Sequence, residues 1–244
     1  MEFNLVTFAD TKYAQTLQRI KIEGQRMNIF KNVFACNEHD LDIDFVNKHI
    51  NFIRNNKRGF GYWIWKPQII LQALRKTSRG SILVYCDAGC SVNPEGIPRL
   101  VEYGEMVKNH PSGILSFKLD GHFEYNWSKM DLMHYLNYTK PEEISSNHVC
   151  ATVIIFHNTE KVEDFVLQWI DTCVRENYRY VDDSPSVIPN TNFFRDNRHD
   201  QSIFSIMSKQ QGCLCIPDET YWAENGHTWE ASRHYPIHAR RLKF

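Results

Sequence analysis

Residues 81–89 read Ser81-Ile82-Leu83-Val84-Tyr85-Cys86-Asp87-Ala88-Gly89, an apolar run that ends in an acidic residue and a glycine. The run does not alternate between apolar and polar residues, which is typical of a strand buried on both faces of a sheet. Asp87 follows the end of this strand, at the edge where open α/β sheets bind their ligands. Gly89 allows the backbone to approach a ligand closely. The stretch therefore predicts a central strand with a binding site beside it.

Further apolar runs alternate with helical patterns along the chain. This alternation predicts an α/β fold, Rossmann-like, with a mostly parallel sheet flanked by helices. Asp10 or Thr11 can cap the helix predicted at 12–27, and Asn158 or Thr159 can cap the helix predicted at 159–175. Pro67 is suited to the first turn of a helix. The predicted strands are 3–8, 29–36, 81–86, 113–117, 149–156 and 213–216, and the predicted helices are 12–27, 41–54, 67–74, 94–108, 159–175 and 199–208.

Size and composition narrow the class of protein. The 244 residues fit one sizeable α/β domain. A net charge of -1, from 28 basic and 29 acidic residues, argues against a nucleic-acid-binding protein. Seven cysteines without a CxxC pair argue against structural zinc and indicate reduced thiols. With no apparent signal peptide and no apolar run of about 20 residues, we expect a cytoplasmic protein without a transmembrane segment.

Asp87 is the first candidate for chemistry. A carboxylate is a hard ligand suited to Mg²⁺ or Mn²⁺, and such an ion neutralises a diphosphate leaving group. The alternative is that Asp87 only starts a turn whose geometry Gly89 satisfies. The sequence leaves both interpretations open.

The stretch from Lys57 to Pro67 combines two glycines with four aromatic residues. Arg58 and Lys66 are candidates to pair with phosphates, and Tyr62, Trp63 and Trp65 are candidates to stack on a base or a sugar. The alternative is an aromatic cluster that closes the core.

Asp200 and the C-terminal histidines are further candidates. Asp200 is placed to act as general base on an acceptor hydroxyl or to orient that hydroxyl, or else only to stabilise the first turn of a helix through its dipole. A histidine among His227, His234 and His238 is a candidate second ligand for a metal held by Asp87, and the nearby arginines are candidates for phosphate binding.

The order of these segments resembles the GT-A nucleotide-sugar glycosyltransferases, in particular small polysaccharide-building transferases of bacteria and large DNA viruses. The resemblance covers residues 3–240 and is carried by ordered motifs: Thr7-Phe8-Ala9, Gly61-Tyr62-Trp63-Ile64-Trp65-Lys66-Pro67, Asp87-Ala88-Gly89, Val149-Cys150-Ala151 through Asn158-Thr159, and Arg198-His199-Asp200-Gln201-Ser202.

The resemblance implies an enzyme that uses a UDP- or GDP-type sugar donor and a glycan acceptor, with a donor-binding half at residues 1–117 and an acceptor half at residues 118–244. The family motif is usually Asp-x-Asp around Mn²⁺ or Mg²⁺, and here Gly89 stands in place of the second carboxylate. The metal ligands would then be Asp87 and His234, or Lys66 and arginines would serve without metal. The catalytic residue implied is Asp200. The donor-binding residues implied are Thr7, Phe8, Ala9, Tyr62, Trp63, Lys66, Asp87, Ala88 and Gly89.

Two other functions compete with glycosyl transfer. A non-catalytic carbohydrate-binding module would use the same aromatic residues without turnover. A sugar nucleotidyltransferase usually opens with a glycine-rich phosphate loop, and Val6-Thr7-Phe8-Ala9-Asp10 contains no glycine.

Overall fold

The computed structural model describes residues 1–220 and 229–244. The strands are β1 Phe3–Phe8, β2 Phe30–Cys36, β3 Ile82–Cys86, β4 Ser91–Val92, β5 Ile114–Phe123, β6 Asn147–Val149, β7 Val153–His157, β8 Leu214–Pro217 and β9 Ile237–His238. The helices are α1 Ala14–Arg26, α2 Ile43–Asn55, α3 Gly59–Tyr62, α4 Trp65–Lys76, α5 Ile97–Asn109, α6 Glu124–Trp127, α7 Met130–Tyr135, α8 Pro141–Ile144, α9 Glu160–Tyr178, α10 Asp200–Gln210 and α11 Trp229–Ser232, with 3₁₀ turns at Thr11–Tyr13 and Pro94–Gly96.

Seven strands form the main sheet, in the order β2-β1-β3-β7-β5-β6, with β8 beside β5. Parallel pairing joins β1 to β2, β1 to β3 and β5 to β8, whereas β7 and β6 pair antiparallel with their neighbours. Five strands therefore run in one direction and two in the other. This confirms the predicted α/β fold with a mostly parallel sheet.

Apolar layers cover both faces of β3, as its unbroken apolar run predicts. Leu83 and Tyr85 belong to the layer that includes residues of α4, α9 and α10. Ile82, Val84 and Cys86 belong to the opposite layer, with residues of α1 and α5. Because this strand is buried on both faces, its carboxyl end is a fixed point for the residues that follow it.

The prediction of one strand over residues 149–156 is wrong, because the chain bends between β6 and β7. The N–H of Cys150 donates to Phe117 O at 2.9 Å, and the N–H of Ala151 donates to Gln201 Oε1 at 3.1 Å. The carbonyl of Thr152 accepts from the N–H of Asp87 at 2.9 Å. After the main-chain bond of Cys150 to β5, one side chain and the residue that follows β3 take the place of strand pairing. The continuous apolar run gives no sign of this break.

Two helix starts were predicted from capping residues. The Thr159 hydroxyl accepts from the N–H of Val162, which confirms this cap on α9. The side chain of Asp10 makes no capping hydrogen bond at the 3₁₀ turn that precedes α1.

All seven cysteines are free. Within the described ranges, no helix combines the length and the apolar character needed to cross a bilayer. The division into donor and acceptor halves stays a prediction.

Residues 59–63 form a left-handed turn directly before α4. All five have positive φ, between 51° and 82°. Gly61 has φ +82°, and a Cβ there would lie 2.9 Å from Ile53 Cγ1. Only glycine fits this position without strain and without displacing α2. The turn therefore fixes where α4 begins.

Gly61→Ala should destabilise the protein more than Gly80→Ala, which is a matched control. Gly80 has φ +83°, but a Cβ there would meet nothing within 4 Å. Both variants carry the backbone strain of about 1–2 kcal/mol, and only Gly61→Ala adds overpacking of about 1–3 kcal/mol. Urea unfolding of both variants measures the difference, and equal losses would contradict the tight packing of the turn.

Candidate active site

A cavity of about 800 Å³ opens at the carboxyl edge of the sheet. Its walls come from the ends of β1, β3, β5 and β8, from the turn at residues 59–63 and from the last residues of the chain. Among the predicted site residues, those that line the cavity are Phe8, Ala9, Trp63, Asp87, Ala88 and Gly89. Those outside its lining are Thr7, Tyr62, Lys66, Asp200 and His234.

Hydrogen bonds hold the backbone of residues 87–90, which we call the Asp87 loop. The N–H of Cys90 donates to the carbonyl of Asp87 at 2.9 Å and closes a turn. The guanidinium of Arg19, on α1, donates to the carbonyls of Ala88 at 2.7 Å and Cys90 at 2.6 Å. The loop is therefore a preformed wall of the cavity.

A buried lysine connects the Asp87 loop to α10. Lys66 Nζ lies 2.7 Å from Asp200 Oδ2 and 3.4 Å from Asp87 Oδ1, and it donates to Ala151 O at 3.2 Å. The side chains of Lys66 and Asp200 are each 4% exposed, whereas that of Asp87 is 35% exposed. Tyr85 donates its hydroxyl hydrogen to Asp87 Oδ1 at 2.6 Å. Asp87 is thus the member of this ion cluster that a ligand in the cavity meets.

Burial and mutual charge set the protonation of the ion cluster. Burial raises the pKa of Asp200 to about 6, although the Lys66 ammonium opposes this effect. Burial also disfavours the charged form of Lys66, but the carboxylates of Asp200 and Asp87 outweigh it and the pKa of Lys66 lies above its usual value. Burial raises the pKa of Tyr85 well above its ordinary value, so its hydroxyl remains a donor to Asp87.

Three aromatic residues of the stretch at residues 57–67, Phe60, Trp63 and Trp65, line the cavity, and Tyr62 does not. Tyr62 stacks on His199 with ring centroids 5.0 Å apart, and Trp65 stacks on Phe8 at 4.0 Å. Arg58 forms ion pairs at 3.0 Å with both Asp183 and Asp196. The packing interpretation therefore describes Tyr62, while Trp63 and Trp65 both line the cavity.

The C-terminal segment, residues 239–244, contributes Ala239, Arg241, Leu242 and Lys243 to the cavity wall. The N–H of Leu242 donates to Gly89 O at 2.9 Å, and the N–H of Phe244 donates to Thr16 Oγ1 at 2.8 Å. A Cβ on Gly89 would lie 3.3 Å from the Cα of Arg241. Position 89 is therefore packed against backbone, in the place where the family's second carboxylate would begin.

The described residues around Asp87 do not form a ligand set for a resident divalent ion. No group of three His, Cys, Asp or Glu side chains suited to a metal occurs within residues 1–220 and 229–244. His234 is exposed and does not line the cavity, and His238 is buried with its Nε2 2.9 Å from Ser232 O. His227 lies outside the described residues. Asp87 is left as a single carboxylate with an ammonium already beside it.

The pH dependence of stability should reveal the buried carboxyl of Asp200. Because its pKa is higher in the folded protein than the ordinary 3.8, the folded state binds this proton more tightly. The contribution is present at low pH and is lost as pH rises from about 4 through about 6, by an amount on the order of 2–3 kcal/mol. Chemical unfolding at several pH values should show this fall in the wild type and not in Asp200→Asn. Parallel curves for the two proteins would contradict it.

Comparisons with known proteins address the fold. No protein-family model matches the chain, and no curated protein matches it in sequence. The crystal structure of a glycosyltransferase involved in the glycosylation of the major capsid of PBCV-1 matches with a TM-score of 0.52 and 11% identity, over 97% of this chain and 91% of that chain. The bifunctional glycosyltransferase WbbM matches with a TM-score of 0.53 and 12% identity, over 97% of this chain and 45% of that longer chain. The chain has the GT-A fold of these glycosyltransferases, which confirms the predicted fold.

Proposed function

We propose that this protein is a glycosyltransferase that moves a sugar from a nucleoside-diphosphate sugar to a hydroxyl group of a glycan. One observation carries the proposal: in a GT-A fold, Asp87 lies in a cavity of about 800 Å³ and is backed by the buried Lys66–Asp200 pair. Cavities of roughly 300–1,000 Å³ are the usual size for small-molecule sites. The carboxyl edge of the sheet is also where such folds bind nucleotides.

The donor nucleoside would lie at the end of β1. Phe8, Ala9 and Asp10 line this side of the cavity, together with Lys12 and Tyr13. The aromatic ring and the apolar side chains provide surface for a base, while polar groups fix its orientation. Phe8 is itself held by its stack on Trp65.

The donor diphosphate would lie between the Asp87 loop and the C-terminal segment. Arg241 and Lys243 line the cavity there, and Arg198 and Lys12 line it from other sides. Such cations stabilise the charge that develops on the departing diphosphate. Asp87 would accept hydrogen bonds from hydroxyls of the donor, because its side chain lines the cavity and is 35% exposed. This arrangement assigns charge neutralisation to basic side chains rather than to a resident metal.

The acceptor would enter over β5 and β6. Trp127 and His122 line this part of the cavity, with ring centroids 5.9 Å apart. The guanidinium of Arg198 lies 3.9 Å from the centre of the Trp127 ring. Aromatic faces of this kind pack against the apolar faces of sugar rings. A non-catalytic carbohydrate-binding module would use the same surface, so turnover of a donor separates the two functions.

Thermal unfolding with UDP and GDP tests the donor site. A nucleotide that binds only the folded state at 100 times its Kd stabilises it by about 2.7 kcal/mol, or about 5 °C or more in Tm for a chain of this size. We expect one of the two nucleotides to give such a shift equally in EDTA and in Mn²⁺. Asp87→Asn should reduce the shift. Asp171→Asn should retain it, because Asp171 is exposed and its carboxylate pairs with Arg175 outside this cavity.

Three results would contradict parts of the proposal. A shift seen only with Mn²⁺ would restore the metal and overturn the metal-free arrangement. A full shift in Asp87→Asn would remove Asp87 from the donor site. A nucleotide shift without release of nucleoside diphosphate from UDP-glucose, UDP-galactose, UDP-xylose or GDP-mannose would favour a binding module.

A further inference from the structure

A second buried charge cluster lies at the acceptor side of the cavity. His148, on β6, is 1% exposed and its Nδ1 lies 3.0 Å from Glu124 Oε2. Glu124, on α6, is fully buried and does not line the cavity, whereas His148 does. His148 Nε2 is buried and finds no hydrogen-bond partner among the described residues. Leaving such an atom unpaired is energetically costly, so a partner from a bound molecule is expected there.

The surroundings of Glu124 fix the tautomer of His148. Glu124 accepts from the hydroxyls of Ser128 and Ser205, and Lys209 Nζ lies 2.7 Å from its Oε1. Burial by itself raises the pKa of Glu124, but His148 and Lys209 lower this pKa by more, so that it is about 2. The carboxylate is therefore ionised and can only accept from His148 Nδ1–H. The lone pair of the neutral ring is then on Nε2.

The sheet order places this histidine away from the nucleoside end. β1 ends beside the predicted nucleoside site and β3 ends at Asp87, whereas β6 pairs with the second half of β5, which lies two strands beyond β3 in the sheet. Four residues after His148, the carbonyl of Thr152 accepts from the N–H of Asp87. His148 is thus connected to the Asp87 loop, but it lies on the side of that loop where β5 and β6 form the proposed acceptor surface.

We propose that His148 is the general base of the reaction and that Glu124 is its positioning residue. This inference rests on the proposed glycosyl transfer. The acceptor O–H gives its proton to His148 Nε2 while the acceptor oxygen bonds to the anomeric carbon of the donor. The bond from that carbon to the diphosphate oxygen breaks, and its electron pair leaves with the nucleoside diphosphate. His148 then returns the proton to solvent.

Asp200 is less suited to this role than the sequence implies. Its carboxylate is held 2.7 Å from Lys66 Nζ, and it does not line the cavity. A general base must lie about 2.6–3.2 Å from the hydroxyl whose proton it accepts. A carboxylate that is ion-paired and lies behind the cavity wall does not meet this requirement. We therefore assign Asp200 to holding Lys66.

The charged and titratable groups around His148 come from three elements and from the residues just before α10. Glu124 on α6 and Lys209 on α10 lie behind it, and the cavity wall adds Lys118, Asp120 and His122 on β5 and Arg198 before α10. Removing the Glu124 charge should make the imidazolium form less favourable. The acid limb of the pH–rate profile should then move to lower pH.

The test uses His148→Asn, with His110→Asn as the control. The Asn side chain can still donate a hydrogen bond to Glu124, but it has no proton acceptor where His148 Nε2 lies. His110 Nδ1 bonds Ser112 Oγ at 2.9 Å, outside the cavity lining. Release of nucleoside diphosphate from UDP-glucose, UDP-galactose, UDP-xylose and GDP-mannose is measured with water or a free monosaccharide as acceptor. We expect kcat to fall by about 10²–10⁴-fold in His148→Asn, with the nucleotide-induced Tm shift unchanged.

The pH profile distinguishes a base from a structural histidine. The wild-type kcat should fall on the acid side as His148 is protonated, and this limb should be absent in His148→Asn. Glu124→Gln should shift the limb to lower pH while the nucleotide shift in Tm reports an intact fold. A wild type that turns over donor, together with a His148→Asn variant of equal kcat and the same profile, would overturn this inference alone. No turnover of any donor by the wild type would overturn the proposed function and this inference with it.

Discussion

The Lys66 ammonium joins three separate parts of the chain at one point. It contacts Asp200 at the start of α10, Asp87 at the end of β3 and the carbonyl of Ala151 in the bend between β6 and β7. Removing either ion from water costs several kcal/mol, and removing one partner leaves the other charge buried and uncompensated. The three segments are therefore fixed relative to one another. The shape of the cavity floor follows from this one ion cluster.

Backbone strain lies on both sides of this cluster. The left-handed turn at residues 59–63 ends just before Lys66, and His199, with φ 57° and ψ −123°, directly precedes Asp200. Residues in such conformations cost about 1–3 kcal/mol each and persist only where their surroundings hold them. Tyr62 and Trp63 pack against the ring of His199, so the two strained segments support each other. Tyr62 and Trp63, which the sequence offers as stacking surfaces for a base or a sugar, thus also hold Lys66 and Asp200 close together through their contacts with His199.

Local patterns were enough to predict most of the fold and part of the site. The run at residues 81–86 predicts a buried strand because it is almost entirely apolar, and the structure buries every residue of β3. The position of Asp87 at the end of this strand follows from the same run. The pairing of Lys66 with Asp200 and the pairing of Glu124 with His148 depend on tertiary contacts, which no spacing in the sequence reports. The break at residues 150–152 was missed for the same reason. The C-terminal wall also lies a few residues beyond His234, where no local pattern distinguishes a cavity residue from an exposed one.

The helix α10 carries part of both charge clusters. Asp200 lies in its first turn, where the helix dipole favours a negative charge, and Lys209 lies in its last turn, where a positive charge is favoured. Nine residues of helix separate them by about 13 Å along the axis. Asp200 is linked to Asp87 through Lys66, and Lys209 is linked to His148 through Glu124. Because one rigid helix carries both Asp200 and Lys209, the packing of α10 against the sheet sets the distance between Asp87 and His148.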